Sequence, residues 1–185
     1  MTLSLNHVLE DIANSLVEID ASGVPHSHFQ PGVGPYGEPQ VVKLIANRLN
    51  GLEGYVNKVA TKRTPDLLIS GTWAIEYKIA RPFGDNGKPA ENWSVNLLHP
   101  YPGNTSLLGD CMKLAPLRGP ERKAAVAIGY EHTPPVINLD ALLASFEVVA
   151  RQVLSVRLGY RVETTRLGLV HPVHQQLRVC GWEVL

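Results

Sequence analysis

A mixed α/β fold is what this sequence predicts, and three observations predict it. Apolar residues recur at helical spacing over residues 3–20, 39–50, 105–115 and 138–154. Short Val- and Ile-rich segments between Gly and Pro punctuation lie at 54–62, 66–70 and 73–80, at about 123–132, and near 160–167 and 176–184. From residue 39 the two kinds alternate as helix, three strands, helix, strand, helix and final strands, a pattern of one mixed domain spanning 1–185.

Each element has a local cause. In the first helix Leu5, Val8, Leu9, Ile12, Leu16 and Ile19 form the stripe, and Glu10, Asp11, Glu18 and Asp20 suit the exposed face. The Gly- and Pro-rich "ASGVPHSHFQPGVGPYG" reads as a flexible loop feeding a helix. That helix opens at Pro39, carries Val41, Val42, Ile45 and Leu49, and stops at Gly51. Pro65 and Gly71 break the next stretch into three strands, after which residues 80–104 show little periodicity. So long a loop in a compact domain tends to be functional. Leu107, Leu108, Cys111, Met112, Leu114 and Ala115 supply the following helix, and Asn138 suits the cap of the last one.

The totals narrow the function. No apolar run in the 185 residues approaches the ~20 needed to cross a bilayer, and the N-terminus lacks a basic start and small-residue cleavage site. Two distant cysteines, Cys111 and Cys180, point to a reducing cytoplasm rather than a disulfide framework. Net charge is zero, which disfavours a purely electrostatic nucleic-acid binder. The charges are nonetheless uneven. Residues 1–57 hold two basic and six acidic residues, 58–123 hold ten and six, and 124–185 hold five of each.

The positive segment contains "PDLLISGTWAIEYK", which sets Asp66, Glu76 and Lys78 in otherwise apolar strands. A hairpin centred on Gly71 puts Asp66 opposite Glu76, where facing Cβ atoms are roughly 4.5–5.5 Å apart and like charges repel. Alternation puts Ala74, Glu76 and Lys78 on one face and Trp73, Ile75 and Tyr77 on the other. The expectation is that the apolar face packs on the core while the charged one stays open. Two carboxylates with the Tyr77 backbone carbonyl and waters make a hard-oxygen site for Mg²⁺, with Mn²⁺ as a substitute. Such an ion would polarise a phosphodiester and lower the pKa of a bound water. Lys78 can then orient or deprotonate that water, or stabilise the pentacovalent charge.

Pro65-Asp66, nine residues, then Glu76-Tyr77-Lys78 resembles the signature of the PD-(D/E)xK, or restriction-endonuclease-like, nuclease superfamily. The order helix, three strands, helix, strand over residues 38–131 is similar to that family's core. The first 30 and last 50 residues have no counterpart in the resemblance. It implies Asp66 and Glu76 as metal ligands, Lys78 as the catalytic lysine, and Glu38 as an added acid on the first core helix. By itself the motif is weak; its place on two strands, behind a helix and a basic "TKRT", strengthens it.

Lys62, Arg63, Arg81, Lys88 and Arg118 are candidates for DNA backbone phosphates, and Lys113, sharing a helical face with Asp110, for the scissile phosphate. A solvated surface is the plainer reading of each alone. "QPGVGPYGEP" lacks the ending of a phosphate loop, and His26/His28 and His171/His174 lack partners for zinc, Pro172 breaking any helical face. The leading expectation is a Mg²⁺-dependent endonuclease of restriction or defence type, acting on double-stranded DNA as a homodimer, with residues 138–154 and the tail as dimer or DNA-reading elements. The rival is a non-catalytic nucleic-acid-binding or structural subunit on the same fold. A retaining glycosidase ranks low, because only 6% of residues are aromatic and Lys78 has no role in that chemistry.

Overall fold

A computed structural model describes residues 3–101, 103 and 105–185. Among them, five α-helices flank one open, mostly antiparallel sheet of six strands. The elements are α1 (Leu5–Ala21), α2 (Glu38–Asn50), β1 (Val59–Thr61), β2 (Leu67–Ile69), β3 (Trp73–Ala80), α3 (Val95–Leu98), α4 (Leu107–Leu114), β4 (Arg122–Glu131), α5 (Asp140–Val148), β5 (Val162–Leu167) and β6 (Gln176–Val184). The strand order is β1-β2-β3-β4-β6-β5, and β3 with β4 is the parallel pair. No helix of the described residues is long and apolar enough to cross a membrane.

The strands separate two apolar layers. The odd-numbered residues Trp73, Ile75, Tyr77 and Ile79 of β3 join Val126, Ile128 and Tyr130 of β4 in a core covered by α1 and α2. On the other face Ala80, Ala125, Ala127, Cys180 and Trp182 pack beneath Leu107, Leu108, Cys111 and Leu114 of α4 and Phe146 of α5. Small alanines under α4 and large rings under α1 and α2 follow from the alternation of each strand.

Helix boundaries follow local chemistry. Ser4 accepts from the His7 N–H at 3.2 Å to start α1, and Ser106 accepts from the Gly109 N–H at 3.1 Å to start α4. The hairpin register is Leu67↔Ile75, Leu68↔Ala74 and Ile69↔Trp73, as expected for a bend centred on Gly71. Gly71 has φ of +69°, a conformation natural to glycine.

Four expectations need correction. The strand expected over 54–62 shrinks to Val59–Thr61, because Gly54 and Asn57 adopt left-handed backbone (φ +94° and +60°) that no strand accommodates. The helix expected over 138–154 begins at Asp140 and widens into a π-turn at Val149–Val153, where Leu154 N–H reaches back to the Val149 carbonyl. The Gly-rich loop is held fast. Gly32 to Pro35 are buried, and Val33 N–H donates to Asp20 Oδ1 at 2.8 Å. The charged face of β3 is also covered, since all eight of its residues are buried.

Candidate active site

The site forms where β3 outruns its neighbour. β2 pairs with Trp73 to Ile75 only, so from Glu76 onward β3 has no β2 residue beside it. Peptide groups left without a strand partner must find another. Asp66, one residue before β2, fills part of the gap: its Oδ2 accepts from the Tyr77 N–H at 2.9 Å. The Ile79 carbonyl accepts from Asn96 Nδ2 at 3.2 Å. The Tyr77 carbonyl accepts from the Lys78 ammonium at 2.8 Å.

Glu76 and Lys78 point toward α4 and are 3% and 7% exposed. Their register partners in β4 are Ala125 and Ala127, whose small side chains leave room for them. Asp66 and Glu76 are hydrogen-bonded through their carboxyl groups. Burial above all, then that bond and the Asp66 charge, push the Glu76 pKa up to about 9, with Lys78 opposing. At neutral pH burial thus favours the protonated form of Glu76. Its Oε1 is buried and has no hydrogen-bond partner.

The Lys78 ammonium contacts three oxygens, two of them in hydrogen bonds and the third, on Asp110, as an ion pair. Besides Tyr77 O these are Glu38 Oε1 at 3.0 Å and Asp110 Oδ2 at 2.8 Å. Burial works to lower the Lys78 pKa, but the charges of Glu38 and Asp110 outweigh it and the net shift is upward. Glu38 itself is raised, chiefly by burial and against the pull of Lys78. Asp110, 1% exposed, also binds Lys113 Nζ through Oδ1 at 2.7 Å.

The donors suit a hard divalent ion. Asp66, Glu76 and the Tyr77 carbonyl offer three oxygens, and the unpartnered Glu76 Oε1 is a buried acceptor in want of a cation. Fully ionised, Glu38, Asp66, Glu76 and Asp110 against Lys78 and Lys113 leave two negative charges, the charge of one such ion. Among the described residues no group of three or more His, Cys, Asp or Glu is gathered to hold a metal on side chains alone. The Tyr77 backbone carbonyl, which would have to serve as a third protein ligand, accepts from Lys78.

The remaining predicted residues are spread around this centre. Lys62 and Arg118, with Lys123, line an open groove of about 310 Å³ beside Pro65 and Ala74. Arg63 is exposed on the β1–β2 connection and Lys88 on the turn after Phe83. Arg81 is engaged within the fold, where its guanidinium donates to the carbonyls of Gly34 and Tyr36. His171 and His174 stack at 4.5 Å between centroids, and His174 Nε2 donates to the Phe83 carbonyl at 2.9 Å.

Asp110 escaped the sequence reading. It stood there only as the neighbour of Lys113, although a lone acid among Leu107, Leu108, Cys111 and Leu114 on an apolar helix face signals a buried partner. Trp93 and Asn96 lay in an aperiodic stretch with no pattern to single them out. Comparison of the chain with protein-family models, with curated proteins and with solved structures found no match.

Proposed function

We propose that the protein is a Mg²⁺-dependent endodeoxyribonuclease of the PD-(D/E)xK type, with a restriction-endonuclease-like core over about residues 38–131. The observation that carries this reading is the convergence of Asp66, Glu76, Lys78 and Glu38 on the open edge of β3, around the Tyr77 carbonyl. The topology is compatible: α2, the three strands β1 to β3, α4, then β4 parallel to β3.

In this reading Asp66, Glu76 and the Tyr77 carbonyl hold the ion. When bound, Mg²⁺ supplies polarisation of the phosphodiester and a more acidic water. Holding the ion would require Glu76 in its ionised form and the Lys78 ammonium turned away from the Tyr77 carbonyl. Glu38 and Asp110 keep Lys78 charged, so it serves as a cation facing the pentacovalent phosphorus and not as the base. Lys62 and Arg118 take backbone phosphates along the groove at Pro65, with Arg63 on the same connection, while Lys113 and Lys88 would add positive charge farther along the chain's path past the site. A homodimer would present one site to each strand of a duplex. The exposed Val148, Val153 and Tyr160 in the C-terminal segment favour such an interface. The free, buried thiols of Cys111 and Cys180 suit a reducing cytoplasm.

The test is incubation with supercoiled plasmid and Mg²⁺ or Mn²⁺, beside Asp66→Ala and Lys78→Ala. Cleavage by the wild type, lost in both variants, is the expected result. A non-catalytic nucleic-acid-binding subunit is the second reading. The observation favouring it is the Lys78 ammonium, which lies on the carbonyl the ion needs. Binding without cutting under every metal and DNA form would decide for it.

A further inference from the structure

Past Lys78 the end of β3 opens into a cavity of about 360 Å³, lined in part by Phe29, Glu38, Arg81, Asp85, Trp93 and Asn96. We propose that this cavity takes one unstacked nucleobase of the strand being cut, so that the substrate is single-stranded or locally opened DNA. The proposal rests on the nuclease reading for its substrate class.

Four observations converge on a base. The volume lies at the lower end of small-ligand pockets, which start at roughly 300 Å³, and suits one flat group rather than a duplex. Phe29 and Trp93 offer aromatic faces, on which bases stack with little regard to sequence. Glu38, Asp85 and a third acid, Glu91, share the lining with a single cation, Arg81, whose guanidinium is engaged by two backbone carbonyls. That balance repels phosphate and accepts hydrogen bonds from the exocyclic amino groups of adenine, cytosine or guanine. Finally, Glu38 both lines the cavity and lies 3.0 Å from Lys78, so a base held there is next to the reacting phosphate.

The other end of β3 completes the path. Ala74 borders the groove of Lys62, Arg118 and Lys123, and Ile79 borders the base cavity. At ~3.3 Å per strand residue these two positions are about 17 Å apart. Glu76 and Lys78 lie between them. Ala74 and Ile79 face opposite sides of the sheet and Glu76 and Lys78 are buried, so a strand joining groove and pocket would pass round the edge of β3 left free by β2, beside Asp66 and Glu38.

The test uses a short fluorophore-labelled single strand, the same strand with its bases replaced by abasic sites, and a blunt duplex, each titrated against wild-type protein in EDTA. Trp73 and Trp182 are fully buried, so contact quenching by an unlabelled copy of the strand reports on Trp93. The single strand should bind with quenching. Abasic replacement should weaken binding roughly 5- to 150-fold, the range of one base–aromatic stack. Trp93→Ala should lose as much, and Trp93→Phe, which keeps an aromatic face, should recover most of it. Equal affinity for normal and abasic strands, or a duplex bound as tightly as the single strand, overturns the proposal; the wild-type comparison needs no variant to fold. Failure of the nuclease reading looks different. There the base-dependent binding persists, but added Mg²⁺ produces no cutting.

Discussion

Glu76 sits 3% exposed beside Asp66 with its pKa pushed up to about 9, chiefly by burial, from an unfolded value near 4.5. A group raised in this way binds its proton more tightly in the folded chain. Its stabilising effect is complete below the unfolded value and is lost as pH rises toward the folded one. Between the two, the native state holds one proton more than the unfolded state, which costs about 1.4 kcal/mol of stability per pH unit. From about pH 7 to about pH 8.5 the metal-free protein should therefore lose about 2 kcal/mol from this side chain. That window is clean for a reason. Below it His174, pushed down to about 4 by burial, contributes the opposite slope. Above it Cys111 and Cys180, both raised by burial, add to the same slope. The perturbation is Glu76→Gln, which keeps the shape and a donor toward Asp66 but has no proton to lose. Urea unfolding in EDTA at several pH values across the window measures it, read as the midpoint at constant m-value. Wild type should show the slope, the variant should lose it, and saturating Mg²⁺ should flatten the wild type by keeping Glu76 ionised. Parallel pH profiles for the two proteins would refute the buried-proton account.

Three further outcomes follow from the geometry. Lys78→Met removes a cation from the buried Asp110 and should destabilise by roughly 3–5 kcal/mol in thermal or urea unfolding; adding Asp110→Asn should restore part of that, and no restoration would mean the pair is not coupled. Gly34→Ala would set a Cβ 2.4 Å from His174 Nδ1, in contact with a packed ring rather than a flexible chain end. It should cost on the order of 1–3 kcal/mol and lower plasmid cleavage by shifting the loop that leads to Glu38; an unchanged melting temperature would count against the clamp. The His174 ring should titrate near pH 4 by NMR, its pKa lowered chiefly by burial. Because the free imidazole titrates near 6.5, the stability tied to this ring is present above that value and lost as pH falls through about 4.

How much of this was legible in the chain depends on the range of the interaction. β3 was readable over its full span because alternation of Trp73, Ile75, Tyr77 and Ile79 with small or charged residues is a local signal. The hairpin register from Leu67↔Ile75 to Ile69↔Trp73 followed from Gly71 for the same reason. What stayed hidden was how the other face is covered. An acid and a lysine alternating with alanines read as a solvent-facing stripe, and only the docking of α4 turns that stripe into a buried one. The Gly-rich loop misled in a similar way. Its glycines read as freedom, whereas Gly32 allows a close approach to the Cβ and backbone of His171 and Gly34 to the ring of His174, more than 130 positions away in the chain. Asp110 combines both difficulties: its partner Lys78 lies on β3, and only Lys113 is local.

The candidate centre is, in the end, a consequence of unequal strand lengths. Had β2 continued beside β3, the Tyr77 N–H and carbonyl would be spent on ladder hydrogen bonds. Because β2 begins only at Leu67, the N–H is available to orient Asp66 and the carbonyl is available to a cation. Lys78 is the cation that the metal-free chain can supply from its own sequence. Its charge is matched by Glu38 and Asp110, which leaves the buried Glu76 to keep a proton beside Asp66. Replacing that proton with a divalent ion needs no new side chain and no rearranged strand, only the movement of one ammonium away from the Tyr77 carbonyl. The same buried acids that cost stability in the metal-free chain are thus the ones that would make loading favourable.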